Sequence, residues 1–123
     1  MKNVSTIIII IMTISLFSCT NFSKTEYSTA DMKVYLKVTP NTTESELKKI
    51  STEFKEKRNI DVDYSKSIFS SNGEIKDLVL KVNTNDGYSG EASCTSASLK
   101  IKNFGFFRDY SKEAKQNFFI GAL

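Results

Sequence analysis

The chain has 123 residues and a net charge of +3, from 17 lysines and arginines against 14 aspartates and glutamates. This length holds one domain, and the basic residues are interleaved with acidic ones, which argues against a nucleic-acid-binding track. The chain contains no histidine, so it lacks the usual general base near neutral pH and the commonest metal ligand. The composition therefore predicts no catalytic site, no cofactor and no metal site.

The N-terminal residues have the pattern of an export signal. Lys2 precedes the apolar run 7–17, which ends just before Ser18 and Cys19. A membrane-spanning helix needs about 20 apolar residues, and this run is shorter and is not followed by stop-transfer charges. We therefore predict that residues 1–18 are a cleaved signal peptide and that the protein is exported.

The sequence Leu-Phe-Ser-Cys at 16–19 resembles the lipobox of bacterial lipoproteins. The resemblance implies that Cys19 receives a diacylglycerol thioether, that the signal is cut before it, and that its new amine is acylated. Such an anchor meets the need for at least two acyl chains. No acidic residue directly follows Cys19, which favours the periplasmic face of the outer membrane. The alternatives are a signal peptide that happens to end in Cys and a short uncleaved anchor.

A tether and a strand are expected next. Residues 19–31 are rich in Ser and Thr, which is typical of a flexible tether, and a single domain is predicted at 32–123. From Met32 onward, apolar and polar residues alternate as in a half-buried strand. The polar positions of this strand would leave one face to solvent, and they are Lys33, Tyr35 and Lys37.

The segment that begins at Thr43 has the clearest helical pattern. Thr43 and Glu46 fit a capping box, in which a hydroxyl and a carboxylate bind free backbone N–H groups. Leu47, Ile50 and Phe54 recur at helical spacing and predict a narrow apolar stripe. The helix should therefore pack this stripe against the remaining elements.

Alternating segments and turns fill most of the remaining chain. Segments 60–64, 75–82 and 88–94 alternate as strands do, with turn signals at Asn72-Gly73 and at 85–87. The predicted fold class is α+β, with one helix packed on a mostly antiparallel sheet of four or five strands in the order β-α-β-β-β.

The C-terminal part has a weaker pattern. Residues 99–107 are expected to form one more strand, and residues 111–123 a short helix or a frayed tail.

Few residues suggest chemistry. Cys94 has no histidine to activate it, so we interpret it as a small buried apolar residue. Asp61 and Asp63 share one strand face, and paired carboxylates can serve acid–base chemistry. A solvated strand face explains them better, so an enzyme that uses carboxylates alone is the weakest hypothesis.

Two groups of residues are candidates for binding a partner. The first is the basic and aromatic stripe of Lys33, Tyr35 and Lys37. The second is the aromatic segment around Phe106 and Phe107, which either closes the core or forms an exposed contact patch.

Residues 39–93 resemble a module in the extracytoplasmic tails of BlaR1-like sensor metallopeptidases of Bacteroidota. The shared features are the Thr-capped helix, an Asp-Tyr strand, an Asn-Gly-Glu-Ile hairpin and a Gly-rich turn. The peptidase activity does not transfer, because this chain has no His-Glu-x-x-His motif. The resemblance implies an extracytoplasmic binding or sensing module.

The predicted function is that of a non-enzymatic, membrane-anchored envelope lipoprotein that binds a protein partner. Its role would be that of a sensor accessory, an inhibitor or an immunity-type protector. The alternative is a lipoprotein that binds a small ligand, such as a lipid or a cell-wall fragment, between helix and sheet.

Overall fold

The computed structural model describes residues 24–123, which form strands and helices over most of their length. The elements, in chain order, are β1 Glu26–Ser28, β2 Lys33–Val38, α1 Glu44–Arg58, β3 Asp61–Asp63, β4 Ile68–Phe69, β5 Ile75–Asn83, β6 Ser89–Thr95, α2 Ser96–Leu99, β7 Phe104–Asp109 and β8 Phe118–Ala122. The fold is α+β, as predicted, and all of its strand pairs are antiparallel.

The strands form two sheets, which differs from the predicted single sheet. Sheet I has the order β1-β2-β7-β8, and in sheet II the central strand β5 pairs with β3, β4 and β6. Because β2 and β3 belong to different sheets, α1 joins one sheet to the other. The predicted β-α-β-β-β arrangement therefore holds as a chain order and not as one sheet.

Helix α1 forms as its sequence predicts. The Thr43 hydroxyl accepts a bond from the Glu46 N–H, and the Glu46 carboxylate accepts one from the Thr43 N–H, which completes the capping box. The stripe of Leu47, Ile50 and Phe54 is buried. These contacts confirm the predicted helix and its packing face.

The two predicted turns lie at the ends of hairpins in sheet II. The first joins β4 to β5 around Gly73, and the second joins β5 to β6 around Asn85 and Gly87. All three residues have positive φ angles, of 90°, 59° and 116°. Glycine and asparagine adopt this conformation most easily, which explains why short turn signals located these hairpins correctly.

The C-terminal prediction is partly wrong. Residues 96–99 form the short helix α2, and the additional strand is β7, which begins at Phe104. Neither a terminal helix nor a frayed tail is present at the end of the chain, because β8 pairs with β7 through Phe106↔Ile120 and its neighbours. Helix α2 and strand β8 are thereby added to the predicted helix and four or five strands.

The folded region also begins earlier than the tether prediction implied. Residues 26–28 pair with β2 as strand β1. The Tyr27 hydroxyl donates to Glu53 over 2.9 Å, and Arg58 Nε donates to the Thr29 carbonyl over 2.7 Å, so this segment is fastened to α1. Residues 24–31 therefore belong to the domain, while the predicted signal peptide at 1–18 and Cys19 lie outside the described residues.

One hydrophobic core joins both sheets and α1. The alternate residues of β2, β5 and β7 that point inward are almost all buried. The ring centroid of Phe54, on α1, lies 5.2 Å from the ring centroid of Phe106, in sheet I. This ring pair adds about 0.5–1.5 kcal/mol beyond the area that it buries. The inner faces of the sheets are thus largely occupied by the core, and the outer faces and the strand edges remain available.

A charged contact connects the two sheets. Arg108 of β7 is 9% exposed, and its Nη2 donates to Asp86, in the β5–β6 turn, over 2.8 Å. The guanidinium carbon lies 4.6 Å from the Tyr88 ring centroid and 4.4 Å from that of Tyr110. Arginine suits this position because its planar cation pairs with a carboxylate while it stacks on aromatic rings.

The first prediction concerns this contact. Asp86→Asn should lower the free energy of unfolding, because it leaves the nearly buried Arg108 cation without its carboxylate. Breaking a fully buried pair costs about 3–5 kcal/mol. Asp86 keeps 39% of its side chain exposed, and solvent screens such a pair, so we expect a loss of about 1–3 kcal/mol. Urea unfolding at neutral pH measures it, with Asp77→Asn as the exposed control.

The pH dependence of that loss tests its cause. Hydrogen bonds from Arg108 lower the pKa of Asp86 in the folded protein. The ionised carboxylate therefore stabilises the fold fully above the pKa of an aspartate in the unfolded chain, about 3.9. The effect is lost as pH falls through the lower folded pKa. The difference between wild type and Asp86→Asn should therefore shrink below about pH 4. A difference that stays constant down to about pH 2 would contradict the ion pair as its source.

Candidate functional site

The outer face of sheet I brings together most of the residues predicted to bind a partner. Lys33, Tyr35 and Lys37 alternate along β2 with fully buried residues, so their side chains point away from the core. Phe107 lies directly opposite Tyr35 on the neighbouring strand β7 and shares this orientation. Four of the five predicted residues therefore meet on one surface, on the side of the sheet opposite α1.

Three aromatic side chains form a row across this face. Tyr35 of β2, Phe107 of β7 and Phe119 of β8 are consecutive cross-strand partners. The rings of Phe107 and Phe119 are stacked, with centroids 6.1 Å apart and planes at 26°. All three side chains are half-buried. We call this set the aromatic row.

Phe119 was missed by the sequence analysis. The final segment was expected to be a helix or a tail, so Phe119 had no predicted sheet neighbour. The dense run Phe-Phe-Ile that starts at Phe118 is a signal for a strand, because aromatic and β-branched residues are enriched in strands. Its pairing with β7 completes the aromatic row.

The two lysines of the face differ in their contacts. Lys37 Nζ lies 3.4 Å from a Glu26 carboxylate oxygen on β1. Lys33 Nζ lies 4.3 Å from the centroid of the Phe107 ring, and within residues 24–123 it takes part in no ion pair. Lys33 is thus an exposed cation held over an aromatic ring, where a carboxylate of another molecule can reach it.

A shallow groove of about 650 Å³ follows the aromatic row. Its lining also includes Leu123, the carboxylates of Glu26 and Asp31, and the two lysines. Leu123 is 43% exposed. The groove therefore combines apolar and aromatic side chains with charged groups, as protein-binding surfaces do.

The fifth predicted residue, Phe106, also borders this groove, but its side chain points to the core. Its side chain is completely buried, lies opposite Leu36 of β2 and packs on Phe54. A partner at the outer face cannot contact this ring. Of the two alternatives for the aromatic segment, the core applies to Phe106 and the exposed patch to Phe107.

The predicted small-ligand site between helix and sheet coincides with packed side chains. Leu47, Ile50 and Phe54, which face the sheets from α1, are at most 3% exposed. They belong to the same cluster as the inward residues of β2 and β5. The space along this stripe is therefore filled by the protein itself.

The remaining candidate residues have structural partners. Asp61 accepts bonds from Lys55 and Asn85, which lower the pKa of its carboxyl, and hydrogen bonds from Ser65 do the same for Asp63. Both carboxyls are thus held as anions, unlike a general acid, whose pKa must be raised. Burial raises the pKa of the Cys94 thiol, which disfavours the reactive thiolate.

Within residues 24–123 no helix is long and apolar enough to cross a membrane. The same residues contain no group of three or more cysteine, aspartate or glutamate side chains arranged to hold a metal ion.

Comparisons with protein-family models, with curated proteins and with solved structures find no match to this chain. The resemblance of residues 39–93 to a module of BlaR1-like sensor metallopeptidases stays a prediction, because none of these comparisons bears on it. The functional interpretation accordingly depends on the geometry of the outer face of sheet I.

Proposed function

We propose that this chain is an exported, lipid-anchored envelope protein, without enzymatic activity, whose domain binds another protein through the outer face of sheet I. The observation that carries the proposal is the aromatic row of Tyr35, Phe107 and Phe119, half-buried along a groove of about 650 Å³ on this face. Aromatic residues dominate the centres of protein interfaces, because they bury a large area at a small cost in side-chain entropy.

The charges around the row indicate the chemistry of the partner. The Lys33 ammonium is fixed over Phe107 and has no carboxylate partner in the described structure. A partner that places a carboxylate there and apolar side chains on the row would satisfy both features. Charged groups at the border of an interface mainly guide association and select the partner.

The lipid anchor at Cys19 would keep this face close to a membrane. Strand β1, which begins at Glu26, belongs to the same sheet as the aromatic row. The residues between Cys19 and Glu26 span roughly 25 Å when fully extended. We therefore infer that the partner is a protein of the envelope, bound near the membrane surface, with the periplasmic face of the outer membrane as the favoured location.

The second prediction tests the outer face. A photoreactive residue in place of Tyr35, in the full-length protein in its native cells, should form an adduct with one envelope protein. The matched control is the same residue in place of Lys81, which is exposed on the outer face of sheet II. Equal adducts at both positions, or adducts with lipid or glycan alone, would contradict the proposal.

The third prediction tests the anchor with the two cysteines of the chain. Cys19→Ser should abolish palmitate labelling and should either release the protein from membranes or leave the precursor uncut. Cys94→Ser should change neither labelling nor membrane retention, because Cys94 lies in the folded domain. Unchanged labelling and retention of the Cys19→Ser protein would show that Cys19 is not lipidated.

A further inference from the structure

A second groove opens between strands β6 and β8. The two strands are in contact at Gly90, where a Cβ atom would lie 2.9 Å from Cγ2 of Ile120. Beside this contact lies a groove of about 530 Å³, lined by Ala92 and Cys94 of β6, by Gly121 and Ala122 of β8, and by Ile101 and Phe104. This groove shares Ala122 with the groove along the aromatic row, but no side chain of the aromatic row lines it.

Strand β6 borders this groove with a free edge. In the described structure β6 pairs with β5 alone, so the backbone groups on its other side have no strand partner. Proteins usually protect such an edge with lysine, proline or a bulge. The sequence Ser-Gly-Glu-Ala-Ser-Cys-Thr of β6 has no lysine or proline, and Glu91 is its one charged residue.

The core is incompletely covered beside this edge. Ala92 and Cys94 lie opposite Leu80 and Leu78 of β5 and therefore share their core-facing side. Both leucines are fully buried, whereas Ala92 and Cys94 are half-buried. Small side chains on β6 thus leave space that larger apolar side chains from outside could fill.

We propose that an extended segment of another protein adds to β6 as a strand and places apolar side chains in this groove. Main-chain hydrogen bonds to the free edge would give affinity, and the groove would select alternate side chains. This inference does not rest on the function proposed for the outer face of sheet I, because the free edge belongs to β6 of sheet II.

Charge and shape favour a different protein over a second copy of this chain. Lys102, at the border of the groove, forms no ion pair within residues 24–123, so it fits an acidic residue of the added segment. Ile101 beside it is 81% exposed and offers an apolar contact. The β6 strand of a second copy would bring Gly90, Ala92 and Cys94, whose side chains are too small to fill the groove.

The fourth prediction begins with a cross-link. A photoreactive residue in place of Ile101, in the full-length protein in its native cells, should form an adduct with a segment of another protein that has apolar residues at alternate positions. The matched control is Ile68, an isoleucine that is 53% exposed on β4. An adduct no stronger than that of the control, or one with a second copy of this chain, would overturn the proposal.

Strand addition is then measured with a synthetic peptide of the cross-linked sequence. Bound peptide should slow hydrogen exchange of the β6 amides, because it would bond to the free edge, and Lys102→Glu should weaken binding by about tenfold. Lys112→Glu, at an exposed position outside the groove, should leave binding unchanged. Binding without protection of β6 would show that no strand is added.

Discussion

The register of β7 against β2 decides which aromatic side chains enter the core and which reach the surface. Because side chains alternate along a strand, a shift of one residue would exchange Phe106 with Phe107. Gly105 helps to fix the register, since a Cβ atom there would lie 1.8 Å from the Leu36 carbonyl oxygen. At the other end of β7, Arg108 is held by Asp86 between two tyrosine rings. The core and the proposed binding face thus both depend on this one alignment.

The same alignment joins the two sheets into one domain. Phe54 of helix α1 packs on Phe106 of sheet I, and the chain leads from α1 to β3 of sheet II. Helix α1 therefore connects the two sheets and packs in their common core. The contact of Arg108 with the β5–β6 turn forms a second connection between the sheets. With both inner faces buried, binding surfaces are restricted to outer faces and strand edges, which is where the aromatic row and the free edge of β6 are found.

Local patterns predicted α1, β2 and the two hairpins, because caps, turn residues and alternation act between near neighbours in sequence. The division into two sheets was not predictable in this way, since β2 pairs with β7, which lies far along the chain. Phe106 and Phe107 are adjacent and both aromatic, so the sequence does not show which of the two side chains points to the core. Phe119 was missed for a related reason, because β8 is defined by its partner β7 more than by its own sequence.

The comparison of Phe106→Ala with Phe107→Ala by urea unfolding tests this account most directly. The two residues are adjacent and chemically identical, but one ring is fully buried and the other is half-buried on the outer face. The account predicts a loss in the free energy of unfolding of about 3–5 kcal/mol for Phe106→Ala and of about 1 kcal/mol for Phe107→Ala. Equal losses, or a larger loss for Phe107→Ala, would contradict the division of β7 between the core and the proposed binding face.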